Sequence, residues 1–387
     1  MEHPIRFAVF GTRHWHVLEI AEAVRSHDAF TLVGLAEPDT ESRTAAATQL
    51  GVPAITNYQD MLENELVDAV VIGAINDERA DIICASLAAG VHVLADKPMV
   101  ISHEQLRAVE QAASVSDAVL SCALSLRFTP LFVAAKQAIE RGDIGDIVGS
   151  YAQGPHKLNI ARRPGWMFER HRYGGSLLDL TIHDVDAARW MHQVEPAMVV
   201  ADEGAARFGD HGLSDYASVY LRMTNETVAI CRSSWLTPDE DPTHGDRRLI
   251  IEGTEGHLEI VDSATRSLLI NKRGTVSSQT AEAATSVAQP DAMAGLVEDF
   301  ASAIQGNTTP VITAFDAIES HRWTLAARND AESRTCPCVA SSRTCPGNRW
   351  GSTRLGGYNH EGHQSQQSLS VLISSLPSNF VRTEGAE

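Results

Sequence analysis

No stretch of this chain stays apolar for the ~20 residues that a membrane-crossing helix needs. No segment near Met1 joins a basic start to a long apolar run and a small-residue cleavage site, so a cytoplasmic protein is expected. Basic residues are scarce: 31 Lys and Arg stand against 50 Asp and Glu, a formal charge of -19. Such a field repels nucleic acid and anionic membranes as general partners and leaves small molecules open. Cysteines are few, and Cys84, Cys122 and Cys231 lie singly in apolar runs, as reduced buried thiols do. What is abundant is hydrophobic residues, 43% of 387, enough for two cores.

The first third alternates apolar runs with amphipathic stretches, a β-α-β rhythm that predicts a parallel sheet with helices on both faces. "IRFAVFG" reads as a buried strand, and Val17, Leu18, Ala21 and Val24 recur at helical spacing after it. Further strands are read in "FTLVGLAEPD", "VDAVVIGA", "VHVLADKP" and "AVLSCALS", with helices over about Glu78 to Ala89 and from Ser102. From about Tyr151 longer β-rich runs take over, with turns at Asn225-Glu226 and around Gly253 to Gly256, which predicts a mainly antiparallel sheet. Helices are expected over about Met293 to Gln305 and Ala314 to Arg328. The fold class is therefore α/β: a doubly wound Rossmann domain over 1–125 and an α+β domain with a large open sheet over 126–333. Residues 334–387 lose periodicity and are read as a tail outside both domains. Cys336, Cys338, Cys345, His360 and His363 are zinc-compatible types there, but their spacing matches no compact site and no metal is assigned.

A dinucleotide-binding turn after the first strand should read G-x-G-x-x-G. Here it is "GTRHWH": Gly11 fits, while Arg13 and His16 replace the other two glycines. An arginine can offer charge-assisted hydrogen bonds to phosphate instead. Glu37 ends the second strand where an acidic group binds ribose hydroxyls and repels a 2'-phosphate, so NAD is favoured over NADP. Glu37 opening a solvated turn is the plainer alternative.

The helix region "YGGSLLDLTIHDVDAARWM" places Asp179, His183 and Asp186 at i, i+4 and i+7, one face of an α-helix. Together with "ADKP", "LRFTP", "NDERADIICASLAAGVHVLADKP" and "GTEG", it makes the chain resemble the glucose-fructose oxidoreductase and inositol dehydrogenase family, Gfo/Idh/MocA, over about Ile5 to Ser333. Asp96 stands where that family has Glu, and Arg79 where histidine is common.

The resemblance implies a nicotinamide cofactor, a sugar, cyclitol or related polyol as substrate, and a homo-oligomer formed through the C-terminal sheet. It maps the family's lysine, aspartate and histidine onto Lys97, Asp179 and His183. Chemistry agrees: oxidising an alcohol calls for a base with pKa near neutrality, which suits His183, and a donor to the developing oxyanion, which suits Lys97. Asp179 would orient the lysine or a substrate hydroxyl, while Gly174 and Gly175 would leave room for nicotinamide. Gly11, Thr12, Arg13, His14, Glu37, Asn76 and Lys97 are assigned to the cofactor, and Arg127 and His156 join the substrate contacts.

Structural alternatives remain beside these roles. Ser176 and Asp179 match a capping box, His183 suits a core position, and Asp186 is read as pairing with Arg189. Two other functions compete with the dehydrogenase: a non-catalytic nucleotide or sugar-binding regulator, and an NAD-assisted glycoside hydrolase, which would form no net NADH.

Overall fold

The computed structural model describes residues 4–263, 266–272, 275–280 and 291–334. Expectations for residues 335–387 lie outside the described residues. The first sheet holds β1 (Ile5–Phe10), β2 (Phe30–Ala36), β3 (Ala54–Ile55), β4 (Ala69–Ile72), β5 (His92–Ala95) and β6 (Leu120–Cys122). Its order is β3-β2-β1-β4-β5-β6, and every pairing is parallel. The strand order reverses between β1 and β4, the switch point at which doubly wound sheets bind dinucleotides.

Local chemistry explains the helices on its faces. Helix α1 (His16–Arg25) buries Val17, Ile20, Ala21 and Val24 on one stripe. Asp39 caps α2 (Thr40–Leu50) by accepting from Ser42 N–H, and Ser102 caps α5 (His103–Ser114) by accepting from Gln105 N–H. Helices α3 (Gln59–Glu63) and α4 (Arg79–Ala88) complete the layers.

After α6 (Pro130–Glu140), which the sequence reading passed over, comes an eight-stranded sheet. It comprises β7 (Ile147–Lys157), β8 (Pro196–Gly204), β9 (Tyr216–Met223), β10 (Val228–Thr237), β11 (Arg247–Gly253), β12 (Gly256–Asp262), β13 (Ser267–Lys272) and β14 (Thr275–Thr280). The order is β14-β13-β12-β11-β7-β10-β9-β8, antiparallel except where β10 runs beside β7. Alternation along β9 and β10 buries Val219, Leu221, Ala229 and Cys231 against α6 and the helix Ile182–His192, leaving the other face open.

Two more helices follow, Ala292–Ile304 and Ala314–Arg334. The second runs past the expected Arg328 and serves both cores: Ile318 and Leu325 pack with the first sheet, Ala327 and Ala331 with the second. It fixes the two sheets against each other.

Candidate active site

Lys97 leaves the end of β5, through a cis Lys97–Pro98 bond, into a cleft between the sheets. Its Nζ donates to Asp179 Oδ1 at 2.6 Å and to the Asp179 carbonyl at 2.9 Å. Tyr173 donates its hydroxyl to Asp179 Oδ2 at 2.7 Å and receives the Trp235 indole N–H at 3.3 Å. Burial pushes the Asp179 carboxyl up, but the Lys97 ammonium and these hydrogen bonds outweigh it and hold the group well below the usual carboxylate range.

His183 lines the same cleft. Burial, followed by the Lys97 and Arg247 charges, pushes its imidazole well below the ordinary histidine value, so it is neutral at pH 7. Its Nδ1 has no partner among the described residues. Asp179 sits in a π-helical turn over Leu177–Thr181, ahead of the helix Ile182–His192 that carries His183. That turn breaks the expected three-residue face. Asp186 points elsewhere, accepting from Arg127 Nη2 at 2.8 Å and Ser320 Oγ at 2.7 Å.

Arg127 is therefore corrected from substrate contact to buried strut. Its guanidinium holds Asp186, Asp316 and the Val311 carbonyl, a set that uses four of its five N–H donors. Arg189 pairs with Asp186 at 3.9 Å, as expected, and also grips Glu195 through two hydrogen bonds of 2.6 Å. The capping box is not formed, since Ser176 is itself helical and donates its hydroxyl to the Ser214 carbonyl. Gly174 and Gly175 have φ of 90° and 102°, and added Cβ atoms would meet Ile101 and Arg170, so backbone turning and packing by themselves call for glycine at both positions.

His156 does line the cleft, with Nδ1 at 3.0 Å from the Gly154 carbonyl, an acceptor, so Nδ1 carries the proton and Nε2 is left to accept. Arg163, Trp235, His244 and Arg247 also line it, and the sequence reading missed all four. Arg247 pairs with Asp184 directly beneath Gly154, where an added Cβ would meet both groups at 2.6 and 2.8 Å. This part of the cleft measures about 200 Å³, and a second part of about 420 Å³ shares His14, Trp15, Arg163 and His244 with it.

The second part reaches the loop after β1, where Arg13, His14 and Trp15 line it. Gly11 has φ of 80°, and a Cβ there would lie 2.3 Å from Ala74 N, so the first fingerprint glycine is obligatory. The third glycine normally lets helix and sheet approach closely. Here that role moves across the interface: a Cβ on Gly73 would lie 2.4 Å from Val17 Cβ, so Gly73 at the end of β4 admits α1. His16 is freed to turn toward Asp96.

Asp96, fully buried, accepts from His14 at 3.0 Å, His16 at 3.3 Å, Arg79 at 3.1 Å and the Lys97 amide at 2.8 Å. The unusual loop histidines, Asp96 and Arg79 are thus one network. Arg79 also donates to the Ala74 and Pro98 carbonyls at 2.8 and 3.0 Å, bracing the turn that carries Lys97. Ligand atoms of His14, His16 and Asp96 lie within 4.8 Å of one another, but four donors already fill the lone pairs of the carboxylate and one of them is cationic. Hydrogen bonding accounts for the cluster without an ion.

Glu37 Oε2 accepts from the Thr12 amide at 2.7 Å and the Thr12 hydroxyl at 3.3 Å, and Oε1 from the Asp39 amide at 2.9 Å, which leaves Oε1 a further lone pair. Arg13 lies 3.6 Å from Asp39. Asn76 donates to the Tyr173 carbonyl at 2.9 Å, joining the two halves of the molecule. The left-handed Gly11, the loop over the cleft and the acidic group ending β2 fit a dinucleotide.

The class is now defined: a Rossmann sheet joined to an open mixed sheet, with a lysine-aspartate pair and a neutral histidine in the cleft between them. Residues 5–124 match the oxidoreductase family with NAD-binding Rossmann fold, and residues 132–259 match the GFO/IDH/MocA C-terminal domain. The chain belongs to the Gfo/Idh/MocA family of oxidoreductases. It is 29% identical over 303 residues to 1,5-anhydro-D-fructose reductase of Ensifer adhaerens, covering 76% of this chain and 86% of that protein. It is 26% identical to D-xylose 1-dehydrogenase (NADP(+)) 2 of Haloferax volcanii, covering 84% and 97%. Levoglucosan dehydrogenase, solved with NADH, shares the fold with a TM-score of 0.75 at 18% identity, covering 86% of this chain and 98% of that one.

Proposed function

We propose that this enzyme transfers hydride between NAD and a secondary alcohol of a sugar, cyclitol or related polyol, with Lys97, Asp179 and His183 as its catalytic residues. The observation that carries this reading is the Lys97 and Asp179 pair lining one cleft with an imidazole that burial keeps neutral. A bound nicotinamide supplies the hydride acceptor or donor. The residues of the chain handle the proton and the oxygen. An ammonium has three N–H donors, and two of those on Lys97 are taken by Asp179. The third is available to the substrate oxygen, where it stabilises charge as the C–H bond breaks. Neutral His183 accepts the hydroxyl proton, so alcohol and NAD+ yield ketone, NADH and one proton. Gly11, Thr12, Arg13, His14, Glu37 and Asn76 are assigned to the cofactor, and His156 to the substrate.

Glu37 supports NAD over NADP through repulsion of a 2'-phosphate. The open sheet face, with Met198 and Ile230 more than 40% exposed, supports a homo-oligomer through that sheet. The three described cysteines are free, which suits the reducing cytoplasm.

A panel of inositols, aldoses and linear polyols with NAD, followed by nicotinamide absorbance, tests the reaction. Net NADH formation with at least one of them is expected, and its absence across the panel in both directions would overturn the assignment. Glu37→Ser should narrow the preference for NADH over NADPH in fluorescence titrations. Tighter NADPH binding by the unaltered protein would refute the cofactor choice.

A further inference from the structure

The cleft that holds Lys97 and His183 carries one cation too many for a neutral sugar. Lys97, Arg163 and Arg247 line it, and two of them are neutralised: Lys97 by Asp179, Arg247 by Asp184. Arg163 has no carboxylate partner among the described residues. Backbone carbonyls hold it instead, Leu158 at 2.7 Å to Nε and Lys157 at 3.3 Å to Nη2. Its guanidinium lies over the Trp235 ring, 4.8 Å from the centroid. Two carbonyls and an aromatic face fix the plane of the group while satisfying none of its charge, and its Nη1 is left to donate.

The rest of the lining deepens the asymmetry. Asp179 is the one carboxylate in it, already engaged, beside five imidazoles from His14, His16, His156, His183 and His244. Sites for neutral polyols need acceptors for several hydroxyl protons, and here, besides His183 and the Ser125 hydroxyl, His156 Nε2 is the acceptor that the backbone leaves open. The chain as a whole carries a formal charge of -19 and repels anions at long range. A half-buried guanidinium, held rigid without a carboxylate in so acidic a protein, is left for an anionic ligand to complete.

Resting on the proposed reaction, we infer that the substrate is a sugar acid, an aldonate or uronate whose carboxylate is received by Arg163 while a neighbouring secondary alcohol lies at Lys97 and His183. The charge count selects the carboxylate. One unpaired cation matches one negative charge, whereas a phosphate brings nearly two. The small inner part of the cleft, about 200 Å³, suits a single sugar unit.

The test compares gluconate, glucuronate and galacturonate with glucose, myo-inositol and glucose 6-phosphate, using full-length enzyme and NAD. Calorimetric titration of the same compounds onto the NADH-loaded protein gives a readout independent of turnover. Sugar acids should show kcat/KM 10-fold or more above their neutral counterparts, with KM rising as salt is added. Arg163→Gln should lower the acid-to-neutral ratio of kcat/KM by about 10- to 100-fold, the range of one charge-assisted hydrogen bond, and Arg163→Lys should restore part of it. Neutral sugars turning over as well as the acids would overturn the inference and leave the dehydrogenase standing. Preference for the phosphate would overturn the sugar-acid assignment. An NADH affinity that falls in Arg163→Gln while the acid-to-neutral ratio holds would assign Arg163 to the cofactor. Absence of turnover and of binding throughout would refute both readings.

Discussion

His321 offers a direct measure of how the long helix Ala314–Arg334 supports the active-site turn. Its ring is fully buried, Nε2 accepts the Met99 N–H at 2.8 Å, and Nδ1 donates to the Ala317 carbonyl at 2.7 Å. Since an amide N–H only donates, this geometry demands the neutral ring. Protonating Nε2 would set two N–H groups against each other two residues from Lys97. Burial pushes the pKa down to about 4, against ~6.5 in the unfolded chain. A depressed folded value means that the unfolded state binds the proton first. The stabilising contribution is therefore complete above about pH 6.5 and is lost as pH falls toward 4. Linkage over the interval from pH 7 to 4.5 gives a loss of about 2 kcal/mol from this one residue. His321→Gln retains an acceptor for Met99 and cannot titrate. Urea unfolding of both proteins at several pH values should show the variant gaining about 2 kcal/mol relative to the wild type between pH 7 and 4.5. His321→Leu leaves the Met99 amide unsatisfied and should cost about 1–3 kcal/mol at pH 7 as well. Parallel pH curves for wild type and His321→Gln would refute the reasoning, because the ring would then be free to protonate in the folded protein.

Replacing His183 by Asn should lower kcat ~10²-fold or more with NADH affinity kept, and Lys97→Met should do at least as much. The double variant should lose less than the product of the two, as groups acting on one oxygen do, and full additivity in kcat would separate their roles. Arg127→Met takes the two-pronged partner from the buried Asp186 carboxylate and should destabilise the fold by about 3–5 kcal/mol in urea unfolding, with KM of the folded fraction unchanged. A rise in KM would return Arg127 to the substrate site. Gly73→Ala should weaken NADH binding in fluorescence titration, since its Cβ collides with Val17 at the start of α1. Unaltered affinity would show that the loop does not depend on this close approach.

Local sequence determined the parallel sheet, the antiparallel run after Tyr151 and the turns at Asn225 and Gly253, because periodicity records which side of each element meets a core. It also marked Lys97, Asp179 and His183, since short motifs carried them. Tertiary structure decided which partners those residues and their neighbours meet. His14 and His16 bind Asp96, 82 and 80 positions away, because the order of the strands sets β5 beside β4 and β4 beside β1. Arg127 was drawn to Asp186 and Asp316, 59 and 189 residues distant, and no spacing in the chain announces that meeting. The glycine absent from the loop reappeared as Gly73 on the facing strand. Arg163 lies far along the chain from Trp235, His244 and Arg247, and the four acquire a common purpose only when two sheets close a cleft around them. Periodicity tells a side chain whether it is buried; only the packed fold supplies the charge or the emptiness it is buried against.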